Sequence, residues 1–469
     1  LSEAVLVDSE SEVKRLLNMR LITDECNENI FRQSALHIGV TRPQHLKALL
    51  DSGFDVNARD LNGRTPLMYA ARCGSIEASI MLLKAGADIW LGDYLYLHHD
   101  FLHIATRQHQ WNLVMEVLEF VRGSSRFSDQ ETQSLLDTAI VLWAESAVDK
   151  RSSLCFKALL GWGANPNITF DAGYMWSSET ETTLLHRITD STDIDALLQS
   201  GFSKFNQPNS RGVTPLMVIV ERSDPVFTSD AISNGCCVSA QDHNGRTALH
   251  VSIEEIWEPF DPRFGHYPYP IRWSSLECTK TLLRNKADPS VGDCCRCACT
   301  TSGCTPGLLL LKEYLYWISP YGPYPLGTYI WSLEYLQVIE DINGLICARK
   351  CLLEMIRLVR FEELELTHTC CQKRSQKGLW QTLVDENDID EIMDEEKDII
   401  QDLEQQMAEL EKYFDDTAVE DVWIEELQKL LAVRAGRYPK YLPPPRKIRA
   451  EANKQGNEVR NSNLVHNKS

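Results

Sequence analysis

The chain has 469 residues, 43% of them hydrophobic and 24% charged, with a net charge of −20. That apolar content suffices for a folded protein, while the acidic balance argues against a nucleic-acid groove, which needs a basic footprint. No apolar run reaches the about 18 residues a membrane span needs: the nearest approach, 318–333, is broken by Pro320, Pro323 and Pro325.

Along the chain, a first apolar-periodic segment lies at 3–17, followed by Ser34-Ala35-Leu36-His37 with Leu49-Leu50 and Gly53. Next comes a phrase that recurs. It reads Asn62-Gly63-Arg64-Thr65-Pro66-Leu67-Met68, then Arg211-Gly212-Val213-Thr214-Pro215-Leu216-Met217, then Asn244-Gly245-Arg246-Thr247-Ala248-Leu249-His250. Leu216 and Leu249 are 33 residues apart (249 − 216), a period that signals stacked small units rather than one closed core. Gly63, Gly212 and Gly245 follow turn-forming residues and supply positive φ. Thr65, Thr214 and Thr247 are expected to cap a helix, Pro66 and Pro215 suit its first position, and Leu67, Leu216 and Leu249 start its apolar stripe. A second stripe, Ile76, Ile80, Leu82 and Leu83, ends at Gly86 as a helix C-cap. Each unit therefore reads turn, helix, turn, helix.

Degenerate copies follow at Phe101-Leu102-His103, Leu159-Leu160, Thr183-Leu184-Leu185-His186 with Leu197-Leu198, Leu282-Leu283, and Gly303-Cys304-Thr305-Pro306. A polar stretch interrupts them at 120–132. An insertion at 256–275 carries Trp257, Tyr267 and Trp273 among several prolines, a density that excludes a helix.

On these motifs the chain resembles the ankyrin-repeat family over 1–312. The resemblance implies an all-α solenoid of about eight to nine helix-turn-helix repeats, with 3–17 as a partial capping unit. It also implies that His103, His186 and His250, at one repeat position, make structural hydrogen bonds at the turn. The function it implies is a protein-interaction scaffold that binds another protein through turn tips and concave face. Candidate contact residues are Arg59, Asn62, Trp90, Asp93, Asn209, His243, Trp257, Tyr267 and Trp273. No catalytic residue is expected, since no phosphate loop, nucleophile elbow or metalloprotease motif occurs, and the charge and lack of an apolar run leave no nucleic-acid or membrane partner expected.

Ten of the 15 cysteines fall between Cys278 and Cys371. Cys294, Cys297, Cys299, Cys304, His368, Cys370 and Cys371 have the donor chemistry of a structural zinc site at non-standard spacing, and small buried thiols explain them as well. No other cofactor is expected. Cys347 and Cys351 share a face if their segment is helical. The run Cys295–Cys299, with Gly303–Pro306 and Thr367–Cys371, resembles ankyrin-repeat proteins of filamentous fungi. A metal- or thiol-regulated role, and a substrate-recognition arm of a larger complex such as a ubiquitin ligase, stand as alternatives to the scaffold. A reducing compartment, cytosol or nucleus, suits the thiol content.

The remaining chain divides into a cysteine-containing helical cap at 313–384, acidic amphipathic helices at 385–435 and a basic, proline-broken disordered tail at 436–469. In the acidic segment Ile389, Ile392, Ile399, Leu403 and Leu410 fit a short coiled-coil seam, so self-association through 388–414 is an option. The expected cap packs on the last repeat and covers its apolar face. The chain starts at Leu1 rather than Met, so targeting is not legible from this end.

Overall fold

A computed structural model describes residues 1–18, 29–95, 98–172, 179–254, 273–317, 325–369 and 386–413. The chain forms two compact units, Leu1–Lys204 and Phe205–Ser469.

The first unit is built from helix pairs: α1 (Ser2–Leu6) with α2 (Glu10–Asn18), α3 (Ala35–Gly39) with α4 (Pro43–Asp51), α5 (Pro66–Cys73) with α6 (Ile76–Lys84), α7 (Phe101–Arg107) with α8 (Trp111–Gly123), α9 (Asp129–Glu145) with α10 (Ser153–Gly161), and α11 (Leu184–Arg187) with α12 (Ser191–Gln199). First helices stack on first helices, α1 through α11, and second helices on second, α2 through α12. The all-α repeat solenoid expected from the sequence is the observed fold.

The α5–α6 pair shows why the sequence folds so. Thr65 is extended and its hydroxyl accepts a 3.4 Å bond from the Met68 amide. Pro66 opens the helix, and Gly74, at φ 68°, closes it in the left-handed region. Leu67, Met68, Ala70 and Ala71 are fully buried between neighbouring pairs. Burying a side chain of Leu67's size stabilises the stack by about 1.5–3 kcal/mol. Thr214, at the matching place in the second unit, makes no side-chain cap; its hydroxyl is buried without a partner.

Two departures are local. The polar interruption at 120–132 is helical at both ends, with a loop only at 124–128, where Ser128 and Glu131 form a reciprocal capping box that starts the 17-residue α9. Ahead of α11 the tip lengthens into an antiparallel hairpin, β1 (Thr169–Ala172) and β2 (Glu179–Thr183), with Thr169 opposite Thr183. The all-α expectation did not include it.

The second unit repeats the scheme with α13 (Pro215–Glu221) and α14 (Pro225–Ser233), then α15 (Ala248–Glu254) and α16 (Trp273–Arg284), then α17 (Pro306–Trp317) and α18 (Pro325–Asn343). The boundary drawn at 312/313 falls inside α17, which stacks on α15 as any first helix does. Gly344 alone joins α18 to α19 (Leu345–Glu363), which packs on both α17 and α18. α20 (Glu386–Glu395) and α21 (Lys397–Tyr413) follow, with α21 lying on α19. Leu403 is fully buried there and Ile389 nearly so, whereas Ile399 is 42% exposed and stands outside the expected seam. The centre of that seam is thus covered by the chain itself. The tail at 436–469 and most of the insertion at 256–275 lie outside the described residues.

Candidate functional site

The tips at 60–64, 209–213 and 242–246 are each locked by one side chain. Asp60 Oδ1 accepts the amides of Asn62 and Arg64, both at 2.8 Å, and Gly63 N–H donates to the Asp60 carbonyl at 2.9 Å. Asn209 does the same for Arg211 (2.9 Å) and Val213 (3.1 Å), and Asp242 for Asn244 (2.9 Å) and Arg246 (2.8 Å). The next tip then crosses the glycine. Tyr94 N–H donates to Asn62 O at 2.7 Å, His243 N–H to Arg211 O at 3.2 Å and Cys294 N–H to Asn244 O at 2.8 Å. Gly63, Gly212 and Gly245 have φ of 75°, 77° and 77°, and a Cβ there would meet Tyr94, His243 and Cys294 at 2.5, 2.6 and 2.8 Å. The glycine is needed for close approach as much as for its turn.

Two of the repeat histidines, His250 and His37, bolt one repeat to the next. His250 Nδ1 accepts from Thr247 N–H at 3.0 Å, and its Nε2 donates to Cys304 O at 3.0 Å. His37 bridges Ser34 N–H and Arg64 O in the same way, at 3.0 and 2.9 Å. Burial pushes the His250 imidazole down to about 4, so the ring is a neutral structural tie. His186 Nδ1 accepts from Thr183 N–H at 3.2 Å, and His103 pairs with the helix-capping Asp100 at 2.8 Å.

The contact residues expected from the sequence separate on this frame. Asn62 and His243 are exposed, and Trp90 is just exposed. Arg59 is half-buried, donating to Gly92 O at 2.9 Å and lying 5.0 Å over the Tyr94 ring. Asp93 and Asn209 do not offer a surface: both are buried, because their side chains lock the turns. Trp257 and Tyr267 lie outside the described residues, as does the side chain of Trp273.

The candidate contact residues left out a larger feature of the first unit's tips. Phe31 (56% exposed), Leu61 (55%), Tyr94 (63%) and Leu95 (43%) stand on successive tips of the first unit. Leu61 N–H donates to Phe31 O at 3.0 Å, so these tips are adjacent rungs. The signal was present in Asp60-Leu61-Asn62-Gly63, where an apolar Leu stands inside a turn sequence of polar residues and Gly.

In the second unit the cysteine-rich segment is an enlarged tip. Asp293 Oδ1 accepts the amides of Cys295 (3.0 Å) and Cys304 (2.7 Å), and Asp293 N–H donates to Cys304 O at 3.2 Å. The same lock thus spans 293–304 instead of the five residues of 60–64. α19 and the segment after it clamp this loop. Arg357 Nε donates to Ala298 O at 3.0 Å, Thr369 Oγ1 to Arg296 O at 2.7 Å, and Thr300 Oγ1 to Glu354 at 3.1 Å. Arg357 in turn holds Glu404 of α21, and Arg296 pairs with Asp390 of α20 at 2.7 Å.

The clamp brings Cys297, Cys299 and His368 together, their donor atoms all within 4.8 Å of one another. Cys297 Sγ lies 3.9 Å from His368 Nδ1, and His368 Nε2 lies 2.7 Å from Glu362 Oε1. Burial pushes His368 down, but the Cys297 and Cys299 sulfurs and the Glu362 carboxylate outweigh it and raise the group to about 11. Cys294 does not join them: it is exposed and sits over Gly245. Cys304 faces Asp293, Cys295 and Lys312 instead, with Lys312 Nζ 3.1 Å from its sulfur. Cys370 and Cys371 lie outside the described residues. On α19, a hydrogen bond between Cys347 and Cys351 pulls the Cys347 thiol down to about 7 and pushes Cys351 up.

Residues 1–93 match the family model for ankyrin repeats, in three copies. Mouse (Mus musculus) Inversin is 26% identical over 204 residues, covering 42% of this chain but only 18% of Inversin. Among solved structures, the human ASB11 ankyrin repeat domain matches at TM-score 0.34 and 21% identity, over 46% of this chain and 90% of that domain. The ankyrin repeat domain of Bcl-3 matches at TM-score 0.22 and 19% identity, over 66% and 92%. Among the described residues, no helix is long and apolar enough to cross a membrane.

Proposed function

We propose that the protein is an interaction scaffold whose first unit binds another protein through the apolar row Phe31, Leu61, Tyr94 and Leu95. The row itself carries this reading. Large apolar side chains on adjacent turn tips are costly to leave in water, and the backbone beneath them is held rigid by the Asp60 lock. Arg59, stacked on Tyr94, supplies a polar rim and orients the ring. Ankyrin repeats generally mediate protein–protein interactions, which agrees with this use of the matched segment. The free thiols, among them exposed Cys73 and Cys237, suit a reducing compartment, cytosol or nucleus.

The test compares the full chain with Leu61→Asp/Leu95→Asp as baits in cell extract, quantifying captured proteins. A partner retained by the wild type and lost at least about tenfold by the double variant supports the surface. The double variant must keep the wild-type melting temperature. Equal capture by both baits, or by neither, refutes the assignment.

A further inference from the structure

We propose that Cys297, Cys299 and His368 form a binding site for a zinc-class metal ion that fastens the enlarged tip to the segment after α19. Two ligands bound tetrahedrally, sulfur at about 2.3 Å and nitrogen at about 2.05 Å, lie about 3.6 Å apart. Cys297 Sγ and His368 Nδ1 are 3.9 Å apart, and Cys299 Sγ falls within the same 4.8 Å group. Closure onto a metal therefore needs only a few tenths of an ångström along that edge.

Three further observations point to a ligand. First, the ring is oriented: His368 Nε2 lies 2.7 Å from Glu362 Oε1, which turns Nδ1 toward the Cys297 sulfur at 3.9 Å. A carboxylate on the far ring nitrogen is the usual orienter of a metal-bound histidine. Second, Lys312 Nζ donates to Cys299 Sγ at 3.2 Å, which holds that sulfur in place beside His368. Third, the three ligands are positioned by contacts of their neighbours. Ala298, between the cysteines, is held by Arg357, and Thr369, beside His368, is held by Arg296 of the loop. Two thiolates and an imidazole select zinc-class ions over magnesium or calcium. Three protein ligands leave the fourth tetrahedral position for water or one more donor.

The neighbouring group Asp293, Cys295 and Cys304 is explained without a metal. Asp293 Oδ1 is occupied by the Cys295 and Cys304 amides and Oδ2 by the Cys295 thiol at 3.2 Å, which is the turn lock of the tips at 60–64, 209–213 and 242–246 with one thiol added.

The experiment uses the full chain, purified without chelator and desalted, with zinc measured by elemental analysis and folding checked by circular dichroism. About one zinc per chain is expected, falling at least tenfold in Cys297→Ser/Cys299→Ser and retained in Cys294→Ser and His368→Cys. Glu362→Gln is expected to weaken zinc binding about tenfold with folding unchanged. Should the double cysteine variant not fold, cobalt titration of the wild type decides, since this site must give tetrahedral bands with thiolate-to-cobalt charge transfer. Folded wild type that retains no zinc and shows no such bands overturns the proposal. So does a folded double variant that keeps its zinc.

Discussion

The 60–64 tip of the N-terminal unit and the cysteine-rich tip of the C-terminal unit are built on one lock, yet they end in opposite states. At 60–64 the lock closes over five residues, and Leu61 is left in solvent. At 293–304 the same carboxylate geometry closes over a longer loop whose middle, Cys297 to Thr300, is buried beneath the chain's own α19 and the segment carrying His368 and Thr369. A repeat frame fixes where a tip begins and ends. What lies between, and what covers it, is free to vary. That freedom makes one tip row suited to a partner and turns the other into an internal clasp.

The comparison is sharpest at the tip glycines, where φ is nearly equal but the neighbour differs. Gly245→Ala is expected to cost about 3 kcal/mol, because the added Cβ meets the Cys294 backbone nitrogen at 2.9 Å and the tip itself must shift. Gly63→Ala should cost about 1–2 kcal/mol, since the exposed Tyr94 ring can swing aside. Denaturant midpoints of the two variants measure this, and equal losses break the distinction.

Next in size is an effect of pH on the second unit. His250 is neutral when folded at about 4 and titrates near its ordinary 6.5 when unfolded. The unfolded chain therefore binds the extra proton first, and stability falls as pH drops from about 6.5 to 4. Between pH 7 and pH 5 the loss from this group is about 2 kcal/mol. His250→Gln should flatten that acid limb. An unchanged slope between wild type and variant excludes the buried tie to Cys304.

Glu404→Ala should cost about 1 kcal/mol, since it strips the carboxylate from Arg357, 4% exposed, while the 54% exposure of Glu404 lets water replace part of the loss. Hydrogen exchange should show α21 loosened from α19; an α21 protected as in wild type contradicts the clamp. Smallest of all, Leu61→Asp should change the melting midpoint by less than about 0.5 kcal/mol, because it breaks no contact of the core. A larger loss would mean that Leu61 is structural and not a presented surface.

Much of this molecule was legible in its sequence. Gly-x-Thr-Pro-Leu specified turn, cap and helix, because each of those interactions reaches at most a few residues along the chain. The turn hydrogen bonds that the family resemblance implied for His103, His186 and His250 are present, each to a residue three positions earlier. Asp93 and Asn209 were misplaced as surface because an Asx residue at a tip reads as polar and exposed, while its lock is visible only once the amides it binds are in place.

What the sequence determined by itself was the unit and its stacking, since a short amphipathic helix pair must bury its apolar face on a neighbour. Only the tertiary structure decided which tips stay open and which cysteines meet a histidine. Cys297 and His368 are 71 residues apart, and no local spacing records that the chain returns to that loop. Their meeting depends on α18 and α19 completing the stack and on Arg357 and Thr369 pinning the returning segment, contacts whose free energy exists only when the whole unit is folded.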